Sequence, residues 1–318
     1  MADTLQAVRE AYAEARLDYP NQLAWEELSL EMHEALIHVY RTGRGDKRLG
    51  PFNAHGWDST ELSSVSDALQ VLLKLQGKRW LSRGQPQHWG GLVPSIDRDP
   101  LQQLTRAEKL VRERQSIDQF RSTARVFSNP GEQKAQINDI VALMVLRHYG
   151  VPTRLLDWSL SPFVAAYFAA EQNEQDGEIW TFSYQDYVIE GKEQWVKWKE
   201  DTTTDRTGAD IQFDAQLSSF RADDPPPWIV AAFYGEGFHR QNAQSGFYTM
   251  TSRFGIDHAD ALRTLLRYDQ SRFHRYVIKK DVKPDLRTAL REDHGIWQGS
   301  LFPDAAGAAH TVKLKVFG

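Results

Sequence analysis

Apolar positions recur at helical spacing in the first forty residues. Leu5, Val8, Tyr12 and Ala15 mark one amphipathic helix over 3–18, and Leu23, Trp25, Leu28, Met32, Leu36, Ile37 and Tyr40 mark a second over 22–41. RTGRGDKRLGPFNAHGWDST then breaks the pattern with four glycines and a proline, which predicts a boundary near 45–57. A helix is expected from Ser59 or Thr60, with Val65, Leu69, Leu72 and Leu73 inward and Gly77 ending it. KRWLSRGQ alternates as a short strand that puts Leu81 and Arg83 on one side and Trp80 and Ser82 on the other. Pro86, Gly90, Gly91 and Pro94 predict a loop after it.

Residues 100–127 read as a charged helix, and 133–149 as a second with Ile137, Ile140, Val141, Met144 and Val145 inward and Gly150 as its stop. The stretch His148–Ala170, HYGVPTRLLDWSLSPFVAAYFAA, changes character midway. Its front is a polar turn carrying His148, Tyr149, Thr153, Arg154, Asp157, Trp158 and Ser159. Its back, from the capping Ser161 and Pro162 through Ala170, is apolar on every side and therefore belongs in a core. EIWTFSY and FHRYVIKK read as strands, WIVAAFY as strand or helix, 258–267 as a helix, and PDLRTALREDH as a helix stopped by Gly295. The polar, poorly patterned region 187–224 reads as an insertion or flap. Strands and helices interleave without regular βαβ spacing, which implies a mixed α+β architecture.

Composition narrows the field. A net charge of −5 gives no global pull toward nucleic acid or an anionic membrane. The absence of cysteine excludes disulfides, Cys-based zinc sites and a thiol nucleophile, and it fits a reducing cytoplasm. No run approaches the roughly 18 apolar residues of a membrane span. Between Arg98 and Arg125 seven basic residues outnumber four acidic ones, as either a solvated helix face or a surface for a polyanion. No phosphate-loop, dinucleotide-loop or zinc-hydrolase motif is present, and metal chemistry is not expected.

The remaining chemistry lies in three places. Arg83, beside Gly84, can aim a two-pronged donor at a diphosphate or carboxylate, or sit in an ion pair. Asp157 and Ser159 can hold a ribose or amide, or merely cap the following helix. Gln244 sits on a late polar strand before Ser245 and Gly246.

In that order these blocks resemble the FRG domain family. Ser82-Arg83-Gly84-Gln85 stands for its Phe-Arg-Gly motif, HYGVPTRLLDWSLSPFVAAYFA for its most specific block, Gln244-x-Gly246-Phe247 for a later one, and Leu301-Phe302-Pro303-Asp304 for its close. The resemblance covers roughly 58–312 and leaves 1–57 as an N-terminal helical extension. That family in turn resembles the ADP-ribosyltransferase superfamily of the Arg–Ser–Glu type, which implies a split mixed sheet flanked by helices.

The resemblance implies an enzyme that takes NAD as ADP-ribose donor. Arg83, Asp157, Ser159 and Gln244 would be catalytic, and Arg83, Gln85, His148, Tyr149, Thr153, Arg154, Trp158 and Phe247 would bind the cofactor. Gln244 replaces the acid of the superfamily pattern, so Asp157 or Glu236 is expected to supply the negative charge. The implied acceptor is RNA, DNA or protein, in the setting of a bacterial toxin or phage-defence effector with an antitoxin or chaperone as partner. Alternatives are a non-catalytic nucleotide-binding module, an NAD hydrolase, and a metal-free hydrolase built on His148 and Asp157.

Overall fold

Runs rich in aromatic and β-branched residues become the strands of a computed structural model of the chain. They are β1 (Ser59–Leu62), β2 (Trp80–Gln85), β3 (Leu155–Ser159), β4 (Gly177–Ser183), β5 (Ile229–Ala232), β6 (Gly246–Thr251) and β7 (Phe273–Ile278). The structure describes residues 57–77, 80–123, 133–191, 220–221, 228–232, 239–267 and 269–303, with a few isolated positions elsewhere. Most of the expected extension and most of the expected flap therefore lie outside the described residues.

The strands form one seven-stranded sheet in the order β1-β7-β4-β2-β3-β6-β5, parallel at β1–β7 and antiparallel at the other ladders. The sheet is uneven. β2 and β4 pair through six positions, from Trp80↔Ser183 to Gln85↔Glu178. β3 and β6 pair through five, from Leu155↔Met250 to Ser159↔Gly246. Between these halves β2 and β3 share the single pair Ser82↔Ser159. The sheet is parted at its middle.

Nine helices among the described residues cover it: α1 (Val65–Leu75), α2 (Arg106–Thr123), α3 (Asp139–His148), α4 (Pro162–Ala169), α5 (Tyr184–Glu190), α6 (His239–Ala243), α7 (His258–Leu265), α8 (Lys283–His294) and α9 (Gln298–Leu301). On one face α4 packs with α1 and α8 over Leu62, Ile179 and Ile278, while α3 packs over Leu155, Tyr248 and Met250. On the other face Leu81, Trp158, Trp180, Phe182 and Phe273 form an aromatic layer with α7. Full burial of side chains such as Phe163 and Val164 in α4 stabilises by about 1.5–3 kcal/mol each.

α4 starts as its sequence dictates, with Ser161 accepting from Val164 N at 3.4 Å and proline in the first turn. Elsewhere three expectations need correction. Ser59 does not open a helix: 59–62 is the edge strand β1, and Ser64 caps α1 instead. Leu73 and Ile137 are exposed, Ile137 because a 3-10 turn over Lys134–Gln136 precedes α3 and shifts its register. Asp157-Trp158-Ser159 is not a turn but the end of β3, whose partner β6 lies about ninety residues away in sequence.

Candidate functional site

Where β2 and β3 part, a cavity of about 430 Å³ opens between the end of α3 and the start of α4. Glycine makes the opening possible. A Cβ on Gly84 would lie 1.9 Å from Ala165 O and 2.6 Å from Ala169 N, so β2 rests directly on the backbone of α4. That contact explains the alanines of α4 and places Arg83 at the cavity wall.

Arg83 spans the gap that the missing ladder leaves. Its Nη1 donates to the Asp157 backbone oxygen at 2.8 Å and lies 3.5 Å from Asp157 Oδ2, while Nε is buried with no hydrogen-bond partner among the described residues. Burial pulls this guanidinium down to about 10, aided by the charges of Arg147 and Arg98 and opposed by Asp157. It remains a cation at neutral pH.

Asp157 is clamped from the other side. Arg147 donates to its Oδ2 from Nε at 2.9 Å and lies within 2.8 Å through Nη2, and it also reaches Ser95 Oγ at 3.2 Å. Burial raises the Asp157 carboxyl, but Arg147 and then Arg83 outweigh it and hold the group below the usual carboxylate range. Arg98 stands beside the pair, its Nε on Val93 O at 2.9 Å, and burial together with Arg147 lowers its own value. Two guanidiniums, Arg83 and Arg147, thus converge on one carboxylate, and the charge of Arg98 is near enough to act on both. That surplus of positive charge beside a hollow favours an anion there.

Residues 78–178 match the model of the FRG domain family. Over that stretch, about a third of the chain, the sequence is similar to the FRG domain. No curated protein and no solved structure matches the chain. The matched stretch runs from just before β2 into β4 and so holds Arg83, Arg98, Arg147, Asp157, Ser159 and all of α4.

Of the residues expected from sequence, Arg83, His148, Asp157, Trp158, Ser159 and Gln244 line the cavity. Two of them are engaged elsewhere. Ser159 Oγ donates to Gln244 O at 2.6 Å and accepts from Ser161 N at 2.9 Å, so it fastens the strand ends together. Gln244 is not on a strand: it follows α6 and precedes β6, and its Nε2 donates to Leu301 O at 3.1 Å. Trp158 shows little more than an edge, since its Nε1 donates to Thr249 Oγ1 at 2.8 Å and Phe182 meets it edge-on.

Five expected cofactor contacts do not line the cavity. Gln85 is buried, with its amide on Gly91 O at 3.3 Å. Thr153 is buried and accepts from Leu155 N. Arg154 is buried against Glu113, with Nε to Oε2 at 2.6 Å and Nη2 to Oε1 at 3.3 Å, and it stacks on Phe254. Phe247 belongs to the aromatic layer beside Tyr184. Tyr149 is exposed and lies against Arg240. Glu236 lies outside the described residues.

Sequence reasoning missed Arg147, Trp89, Arg240 and Phe302 as lining of the cavity. Arg147 resembles an ordinary basic residue in a last helical turn, which conceals it. Trp89 was legible as a large aromatic in a loop of proline and glycine, where packing alone rarely places one.

Proposed function

We propose that the FRG domain binds NAD in the cavity, breaks the ribose–nicotinamide bond and passes ADP-ribose to a macromolecule, nucleic acid or protein. The observation that carries this reading is the convergence of Arg83 and Arg147 on Asp157 inside the parted sheet, with the charge of Arg98 close by. Such a cluster suits a pyrophosphate, which accepts paired guanidinium hydrogen bonds and offsets the surplus charge. The parted sheet between helices also accords with an ADP-ribosyltransferase-like fold.

Bond cleavage builds positive charge on the ribose while the bonding electron pair moves to the pyridine nitrogen. In this reading Asp157 faces that charge. Already clamped by Arg147, it acts as a fixed negative charge rather than as a base. The second reading is a binding module without turnover, and a specific observation favours it: Ser159 Oγ and the Gln244 amide are both engaged with the protein.

Calorimetry with NAD and an assay of nicotinamide release separate the two. Binding with release supports the enzyme, whereas binding without release supports the module. Labelled NAD offered with RNA, DNA and lysate protein then identifies the acceptor, and label found on none of them marks hydrolysis. Folded Arg83→Ala protein with unchanged NAD binding would overturn both readings.

A further inference from the structure

Trp89 is exposed over 43% of its surface, yet the loop that carries it is fixed on every side. The buried amine of Lys283 donates to Pro86 O at 2.6 Å. His88 Nδ1 meets the buried carboxylate of Glu178 at 2.7 Å. Gln85 holds Gly91 O, and the capping Asp257 accepts from Leu92 N at 2.9 Å. Gly91 has no room for a side chain, since a Cβ there would lie 1.9 Å from Asp257 Oδ2. A large apolar ring left open on so rigid a support is a preorganised contact, because little ordering remains to be done on binding.

The ring lines the same cavity as Arg83 and Arg147, and Arg98 lies over it at 5.2 Å. We infer that Trp89 is the stacking platform for the adenine base of the ligand, with the adjoining arginines on its pyrophosphate. This rests on the dinucleotide reading above and adds the direction in which the ligand lies. Both ends of NAD carry a planar heterocycle, and charge chooses between them. The nicotinamide ring is a cation and the adenine is neutral. The Trp89 indole already holds the Arg98 guanidinium, so a second cation there would meet repulsion. The neutral base takes the platform, and the nicotinamide ribose then extends away from it.

Titration of the full chain with ADP, nicotinamide mononucleotide and inorganic pyrophosphate tests the assignment. Trp89→Ala is expected to weaken ADP about 10- to 100-fold, the range of a lost base–aromatic stack, and Trp89→Phe to restore most of it. Pyrophosphate and nicotinamide mononucleotide should bind the variants as they bind the parent. An unchanged ADP affinity in Trp89→Ala overturns the inference, as does an equal loss for all three ligands or a loss confined to nicotinamide mononucleotide. Parent protein that binds neither ADP nor pyrophosphate overturns the dinucleotide reading itself.

Discussion

Replacing Gly84 by alanine adds a single methyl group at the tightest contact beside the cavity. Its nearest neighbours would be Ala165 O at 1.9 Å, Ala169 N at 2.6 Å and the Ala165 carbonyl carbon at 2.9 Å, all of them main chain. No rotamer relieves such a clash, so β2 and α4 must move apart by about 1.5 Å, and a gap of even 0.5–1 Å forfeits a quarter to a half of each dispersion contact. Overpacking ordinarily costs about 1–3 kcal/mol, and a backbone obstacle puts this case at about 3 kcal/mol or above. At roughly 2–4 °C per kcal/mol for a large domain, the midpoint should fall by about 6–12 °C. Gly77→Ala is the control. It has φ +74 but nothing within 4 Å, so it should cost only about 1–2 kcal/mol of left-handed strain. Thermal melts by circular dichroism on both variants give the comparison, and pyrophosphate titration at low temperature should show weaker binding for Gly84→Ala as Arg83 shifts. A Gly84→Ala midpoint within about 2 °C of the parent would refute the close strand–helix contact.

His258 should make stability depend on pH. It is fully buried, with Nδ1 at 2.8 Å from Thr249 Oγ1 and Nε2 at 3.4 Å from Thr251 Oγ1, and burial followed by the charge of Arg83 lowers its value to about 3. Because the folded value lies below the unfolded one near 6.5, stability is complete above about pH 6.5. It is lost below that at up to about 1.4 kcal/mol per pH unit until the folded value is reached. Urea midpoints between about pH 6.5 and 5, above most carboxylate titrations, should fall for the parent and flatten for His258→Gln, and parallel slopes would exclude this origin. Asp157→Asn should leave pyrophosphate binding intact or tighter, since a negative charge leaves an anion site, while nicotinamide release falls about 100- to 1,000-fold. Unchanged release would remove Asp157 from the chemistry.

Local rules were enough for much of the frame. Ser161 and Pro162 announce α4, Gly295 with φ 67 stops α8 as glycine should, and the alternation in FHRYVI becomes β7. Long-range pairing was not legible. Asp157 looks like part of a turn until β6 arrives beside β3, and β1 exists because β7 offers it an edge. The same limit applies to the site. Arg83 was legible as a strand arginine beside glycine, but Ser159 and Gln244 bind one another only because Ser159 lies opposite Gly246. Arg154 looked available in sequence and proves to be neutralised by Glu113, forty-one residues earlier.

The lone rung at Ser82↔Ser159 gives this sheet a crease. Its two flanks meet through that one rung, so no ladder fixes the width of the hollow between them. Arg83 crosses the crease to the Asp157 carbonyl, and an anion gripped from both flanks would act as a rivet.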